Sequence, residues 1–212
     1  MAHLVQLSGE EIVGIRAGWV CVRGLAKAEV FERLGLEEAE ETGSWMDFNL
    51  SGAELQSGWV VVVTPEGELP PRADLEALSA TGEVFTCEIS DTVMHSIAEG
   101  YSAGRFVWSV EHDVGRKAGI YDLVAEGELP SAFAEIEARL VAQQDAEGGE
   151  EAGVDYIFGA PMDLVYALCG FRADGETMAD EPQMTLLERA EGSAAPGKRS
   201  GKSFLGWLFG RG

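Results

Sequence analysis

The most constraining feature of this sequence is a run of five apolar residues, Trp59 to Val63, made of one tryptophan and four valines. Successive side chains of a β-strand point to opposite faces of the sheet, so a strand of this composition must be covered on both faces. The chain is therefore predicted to fold around a sheet whose central strand includes residues 59–64.

Further strand and helix patterns occur between residues 12 and 169. Strands are predicted at 12–22, 45–50, 59–64, 83–89 and 120–125, with a hairpin at 93–114, and helices at 26–34, 70–82, 131–144 and 161–169. The strand–helix–strand unit from 59 to 89 implies at least one parallel pair with a right-handed crossover. We expect an α+β fold: one domain with a mixed, largely antiparallel sheet of about six or seven strands and packed helices, plus a flexible C-terminal tail.

The predicted boundaries follow the change in composition along the chain. A globular domain is expected over residues 1–190, a flexible linker over 191–203 and a short apolar docking tail over 204–212. Two acidic stretches inside the domain, residues 37–41 and 174–191, are predicted to be a solvated connection and a loose segment.

The chain is strongly acidic, with 37 Asp and Glu against 15 Lys and Arg and a formal net charge of −22. Four of the basic residues follow residue 194 and no acidic one does, so residues 1–194 hold 11 basic and 37 acidic side chains, a charge of −26. Such a surface repels phosphate backbones, which argues against nucleic acid as a ligand and leaves basic proteins as possible partners.

The start of the chain and the cysteines indicate the compartment. Met1 to Val5 leads into Glu10 and Glu11 without a basic region or a long apolar stretch, so neither a signal peptide nor a transmembrane segment is predicted. Cys21, Cys87 and Cys169 are odd in number and lie among apolar residues, as is typical of buried, reduced thiols. We expect a cytoplasmic protein.

The tail combines basic and aromatic residues in a short space. Lys198, Arg199 and Lys202 precede five large apolar side chains within six positions: Phe204, Leu205, Trp207, Leu208 and Phe209. Because Gly206 weakens helicity, this segment is expected to order on contact with a protein partner or, peripherally, with a membrane surface. The alternatives are that it packs on its own domain or stays unordered.

The histidines His95 and His112 are the candidates for chemistry. Pairing Tyr101 with Phe106 across the predicted turn at 102–105 places the two imidazoles opposite each other, where they could share a metal or a proton. A metal would need a third ligand that the spacing does not supply, so structural histidines are the alternative, and a one-residue slip would separate the two rings.

No catalytic or cofactor-binding residue is otherwise predicted, and no cofactor is expected. Residues 197–203 resemble a phosphate-binding loop, but three residues rather than four separate the first glycine from Gly-Lys-Ser, and neither a strand nor a long helix flanks it. A Gly-x-Ser-x-Gly elbow is also missing.

Three hypotheses about function follow. The first is a non-enzymatic cytoplasmic interaction protein that uses residues 204–209 to dock. The second is an acidic immunity or antitoxin-like inhibitor of a basic toxin, and the third is an enzyme or metal site at His95 and His112. An enzyme is the less expected outcome.

Overall fold

The computed structural model describes residues 14–64, 66–116, 118–174 and 182–190, and within them nine strands form a single sheet. The strands are β1 Arg16–Arg23, β2 Leu36–Gly43, β3 Ser51–Glu54, β4 Val60–Thr64, β5 Glu83–Ser90, β6 His95–Ser102, β7 Arg105–Asp113, β8 Leu123–Gly127 and β9 Met184–Arg189. Their order across the sheet is β2-β9-β3-β4-β1-β5-β6-β7-β8.

The apolar run lies in the middle of the sheet, as predicted. Strand β4 lies between β3 and β1, and its side chains alternate between two hydrophobic clusters: Val61 and Val63 belong to one, Val60 and Val62 to the other. Neighbouring strand β1 alternates in the same way, with Trp19 and its neighbours divided between the two faces. Coverage on both faces is therefore confirmed.

Four helices supply that coverage. Helices α1 (Lys27–Arg33) and α2 (Arg72–Leu78) pack on one side, which we call the α1/α2 face, while α3 (Phe133–Ala146) and α4 (Ala160–Cys169) pack on the other, the α3/α4 face. Among the described residues, the helices on the α1/α2 face are short, with seven residues each.

The α+β class is confirmed, but the predicted strand number and the mixed pairing are not. The sheet has nine strands rather than six or seven, and every adjacent pair within the described part of the chain is antiparallel. Strands β4 and β5 do run in the same direction, as the strand–helix–strand unit predicted. They are not hydrogen-bonded to each other, because β1 lies between them and pairs with both.

Two strands were missed because they lie in stretches that are acidic overall. Residues 37–41, expected to be a solvated connection, lie in β2, and part of the segment expected to be loose forms β9. The predicted strand at 45–50 is also wrong: Trp45–Asp47 is a turn of 3-10 helix, capped by Ser44 and Asp47, and the strand begins at Ser51.

The predicted linker, 191–203, and the predicted docking tail, 204–212, lie outside the described residues, as do residues 1–13. In the part of the chain that is described, no helix has both the length and the apolar character needed to cross a bilayer.

Candidate functional site

The hairpin of β6 and β7 does not bring the two histidines together. Tyr101 pairs with Phe106 as predicted, but a bulge follows, and Gly100 pairs with Trp108. Past this bulge the register is shifted by one residue, so His95 lies opposite Asp113 and His112 lies opposite Ser96. The expected facing pair was wrong, because successive positions point to opposite faces and the two rings now lie on different sides of the sheet.

His112 is fully buried on the α3/α4 face, and both of its ring nitrogens have partners. Its Nδ1–H donates to the backbone oxygen of Asp122 over 2.7 Å, and its Nε2 lies 2.9 Å from Oδ2 of Asp155. The second oxygen of Asp155 accepts the backbone N–H of Phe158, and Ser96 donates its hydroxyl to the Phe158 carbonyl. His112 therefore ties the loop before α4 to the sheet, and neither nitrogen faces an open space.

His95 lies on the opposite face and is part of a half-buried ionic chain. Its Nε2 is 3.1 Å from Oε1 of Glu111, whose other oxygen accepts a 2.8 Å bond from Arg116, and Arg116 also donates to Asp122. The hydrogen bond with Glu111 raises the pKa of His95 above its ordinary value, while the His95 hydrogen bond is the main cause that lowers the pKa of Glu111 to about 2.

These two environments define what the histidines do chemically. Each side chain has a carboxylate partner of its own, and among the residues that the structure describes there is no group of three His, Cys, Asp or Glu arranged to hold a metal ion. In this geometry the two histidines act as cross-links. His112 connects β7 to the loop before α4, and His95 connects β6 to β7 and to the turn after β7.

An apolar groove opens on the α1/α2 face. It contains about 620 Å³ of atom-free space, including the part open to solvent. Its floor and walls come from β1, β4, the end of α1, the start of β2 and the segments before β3 and α2: Val20, Leu34, Leu36, Leu50, Val62 and Pro70. Glu68, Asp74 and Arg189 stand around it. Sequence reasoning missed this groove because its lining comes from distant parts of the chain.

A second depression of about 670 Å³ adjoins the groove at Leu36 and is acidic. It lies between α1 and the beginning of β2, and its lining includes Glu32, Glu37, Glu38 and Ala190. The last described residues, Arg189 and Ala190, thus border the groove and the depression respectively. An apolar groove beside an acidic depression is suited to a segment with large apolar side chains and neighbouring positive charge.

The five predicted docking residues, Phe204, Leu205, Trp207, Leu208 and Phe209, lie outside the described residues. No protein-family model, curated protein or solved structure matches this chain.

Proposed function

We propose that this is a non-enzymatic interaction protein whose segment Phe204–Phe209 docks on a protein partner. The observation that supports it is the separation of charge and apolar character along the chain. Residues 195–212 carry four basic and no acidic side chains and include five large apolar residues in six positions, after a body with a charge of −26 (11 basic against 37 acidic). A segment of this kind needs a binding surface, since free it would promote aggregation.

The fold gives that segment a firm attachment. Strand β9 pairs with β2 on one side and β3 on the other, and Leu187 is buried at 2 % exposure. The segment that includes residues 204–209 therefore follows a strand that is paired on both sides.

The affinity would come mainly from apolar burial. Fully burying a large apolar side chain contributes about 1.5–3 kcal/mol before the cost of ordering, and aromatic residues dominate most such contacts. Trp207 is the largest of the five and is proposed as the anchor. The basic residues would add attraction that salt screens.

A protein is a better partner than a lipid surface because the acidic body opposes approach to an anionic membrane. If the chain binds phosphatidylcholine vesicles, with or without phosphatidylserine, the partner is a membrane and not a protein.

The experiment compares the full chain with Trp207→Ala and with Lys198→Ala as bait for partners from a cell lysate, followed by affinity measurement with the purified partner. Trp207→Ala is expected to weaken binding by about 1–3 kcal/mol at any salt concentration. Lys198→Ala should weaken it mainly at low salt. A partner held equally well by Trp207→Ala and the unchanged chain would contradict the proposal.

A second function is favoured by a different observation. Glu37, Glu40 and Glu41 are exposed on β2, which lies at one edge of the described sheet, and they give that edge negative charge. The corresponding proposal is an inhibitor of immunity or antitoxin type that covers a basic site. Replacing Glu40 and Glu41 by Gln should then abolish capture of the partner, whereas Trp207→Ala should leave it unchanged.

A further inference from the structure

We propose that the apolar groove on the α1/α2 face is the docking site for this chain's own segment Phe204–Phe209, with Trp207 as the side chain that enters the groove. The inference goes beyond the proposed partner binding and stands without it, because it concerns the isolated protein.

The position of the chain at residue 190 is the first argument. The backbone N–H of Ala190 donates to the Gly35 carbonyl over 2.9 Å, which fixes the chain at the junction of α1 and β2. Arg189 lines the groove and Ala190 lines the acidic depression beside it. Residues 191–203 therefore begin at the rim of the site that the following segment is proposed to fill.

Chemical complementarity is the second argument. The groove is walled by aliphatic side chains and proline, as Val62, Leu50 and Pro70 show, and suits the large apolar side chains of the segment. The adjoining depression carries Glu32 and Glu37, together with Glu38, which already forms an ion pair with Lys27. Lys198, Arg199 and Lys202 directly precede the apolar residues in sequence, so one docked segment would place apolar groups and positive charge beside surfaces of matching character.

The length of the connection is the third argument. Residues 191–203 are rich in Gly, Ser and Ala. Thirteen residues of such a chain have a root-mean-square span of about 20 Å. This span is enough for the segment to reach a groove that lies beside the first of these residues. Short flexible connections of this kind give effective concentrations in the millimolar range. Even a weak contact would then be occupied within one molecule.

A consequence for partner binding follows from competition. A segment held in its own groove must leave before it can bind elsewhere, so its apparent affinity for a partner is the intrinsic affinity multiplied by the fraction of molecules in which the segment is free. Self-docking would thus hold the segment in an inactive state and shield its apolar side chains from unwanted contacts.

The test uses the full chain with Ser203→Cys carrying a nitroxide label. Cys21, Cys87 and Cys169 are buried, so the new thiol is the one expected to react. Methyl signals of Leu34, Leu50 and Val62 in the groove are recorded by NMR, with Leu123 and Val124 of β8 as the reference at the opposite edge of the sheet. Because the tether alone keeps the label near the groove, the expected result is broadening of the groove methyls that exceeds the broadening in the Trp207→Ala chain, with the β8 methyls unaffected.

Three variants and one mixture make the result decisive. Trp207→Ala, which leaves the described residues unchanged, should restore the groove signals, and so should Leu50→Glu. Met46→Glu is the control and should not restore them, because Met46 is 64 % exposed and lies outside the groove. A mixture of nitroxide-labelled chains with isotopically enriched chains that carry no nitroxide reports contacts between copies of the chain. Groove methyls that stay sharp in the labelled chain, or broadening that arises only in the mixture, would overturn self-docking. Either result leaves partner binding through Trp207 to be judged by its own capture experiment.

Discussion

Cys21 and Cys169 are 148 positions apart in the chain, yet their Sγ atoms lie 3.2 Å from each other in the core. Cys21 belongs to β1 and Cys169 ends α4, so the contact marks where the last helix packs on the central strands. Burial raises the pKa of the Cys21 thiol well above its ordinary value, and the hydrogen bond with Cys169 raises it further. Burial also raises the pKa of Cys87. The predicted burial of these thiols is confirmed.

The three thiols are therefore expected to be unreactive in the native protein. Thiolates are the reacting species, and a raised pKa combined with burial removes both the thiolate and the access. Titration with a disulfide reagent such as DTNB should give almost no absorbance change with the folded chain. In urea it should give the absorbance change of three thiols. Rapid reaction of one or more thiols in the absence of denaturant would contradict this burial.

The His95–Glu111 pair is expected to stabilise the fold over a limited pH range. The raised pKa of His95 means that its contribution is present below its ordinary value of 6.5 and is lost as pH rises through the higher folded value. The lowered pKa of Glu111 means that its contribution is present above 4.5 and is lost as pH falls towards 2. Both groups contribute fully between about pH 4.5 and 6.5.

Urea unfolding of His95→Gln checks this pH dependence. The free energy of unfolding should fall by about 0.5–1 kcal/mol at pH 5.5, as for a partly exposed ion pair, and by less at pH 8.5. An equal loss at both pH values would show that the pair contributes nothing through its charge.

Asp155→Ala is expected to be strongly destabilising. The change leaves buried His112 without its carboxylate partner and removes the acceptor of the Phe158 N–H, a loss of about 2–4 kcal/mol in the free energy of unfolding. Asp145→Ala is the matched control, since Asp145 is an exposed carboxylate that accepts one hydrogen bond from Tyr121. Its effect should stay below about 1 kcal/mol. Equal effects in chemical denaturation would rule out the cross-linking role of His112.

Gly100→Ala tests the packing at the bulge of the hairpin. The Trp108 indole lies directly over Gly100, where a Cβ would overlap the ring, so the variant should lose about 1–3 kcal/mol of stability. Gly159→Ala is the control, because nothing lies within 4 Å of a Cβ there and its φ of −72° suits any residue. Thermal unfolding of both variants should separate them by several degrees. If Gly100→Ala does not lower the stability, the Trp108 indole does not lie over Gly100.

Two deletions separate the docking segment from the sheet. Removing residues 195–212 should lower the melting temperature by no more than about 2–4 °C, the effect of losing about 1 kcal/mol from a domain of this size. Removing residues 182–212 also removes β9, on which β2 depends, and should abolish cooperative unfolding. A large loss from the shorter deletion would show that residues 195–212 are part of the core.

Local patterns predicted the central part of this fold. The valine run of β4, the alternation in β1 and the apolar stripe of α3, which includes Phe133, Ile136 and Leu140, all depend on burial against the middle of the sheet. The apolar character of these residues itself indicates that they are buried, so the sequence alone was sufficient to predict these elements.

The acidic edge strand and the bulge do not carry that information. Strand β2 consists largely of exposed glutamates, and it is a strand because β9 pairs with it, a partner that no local pattern reveals. The hairpin register shifts at a bulge next to Gly100, over which Trp108 packs, and this shift separates His95 from His112. The groove requires both β2 and the position of Arg189, and for that reason it too was not predicted.

The insertion of β9 between β2 and β3 has a consequence for the order in which the protein can assemble on the ribosome. Strand β2 leaves the exit tunnel early, whereas β9 is made later than every other described strand. Until β9 emerges, β2 has no neighbour in the sheet and β3 has an open edge, the arrangement that attracts other nascent chains. Charged side chains on such a strand oppose wrong pairing. The exposed glutamates of β2 are side chains of this kind, on the strand that waits longest for the segment that completes the sheet.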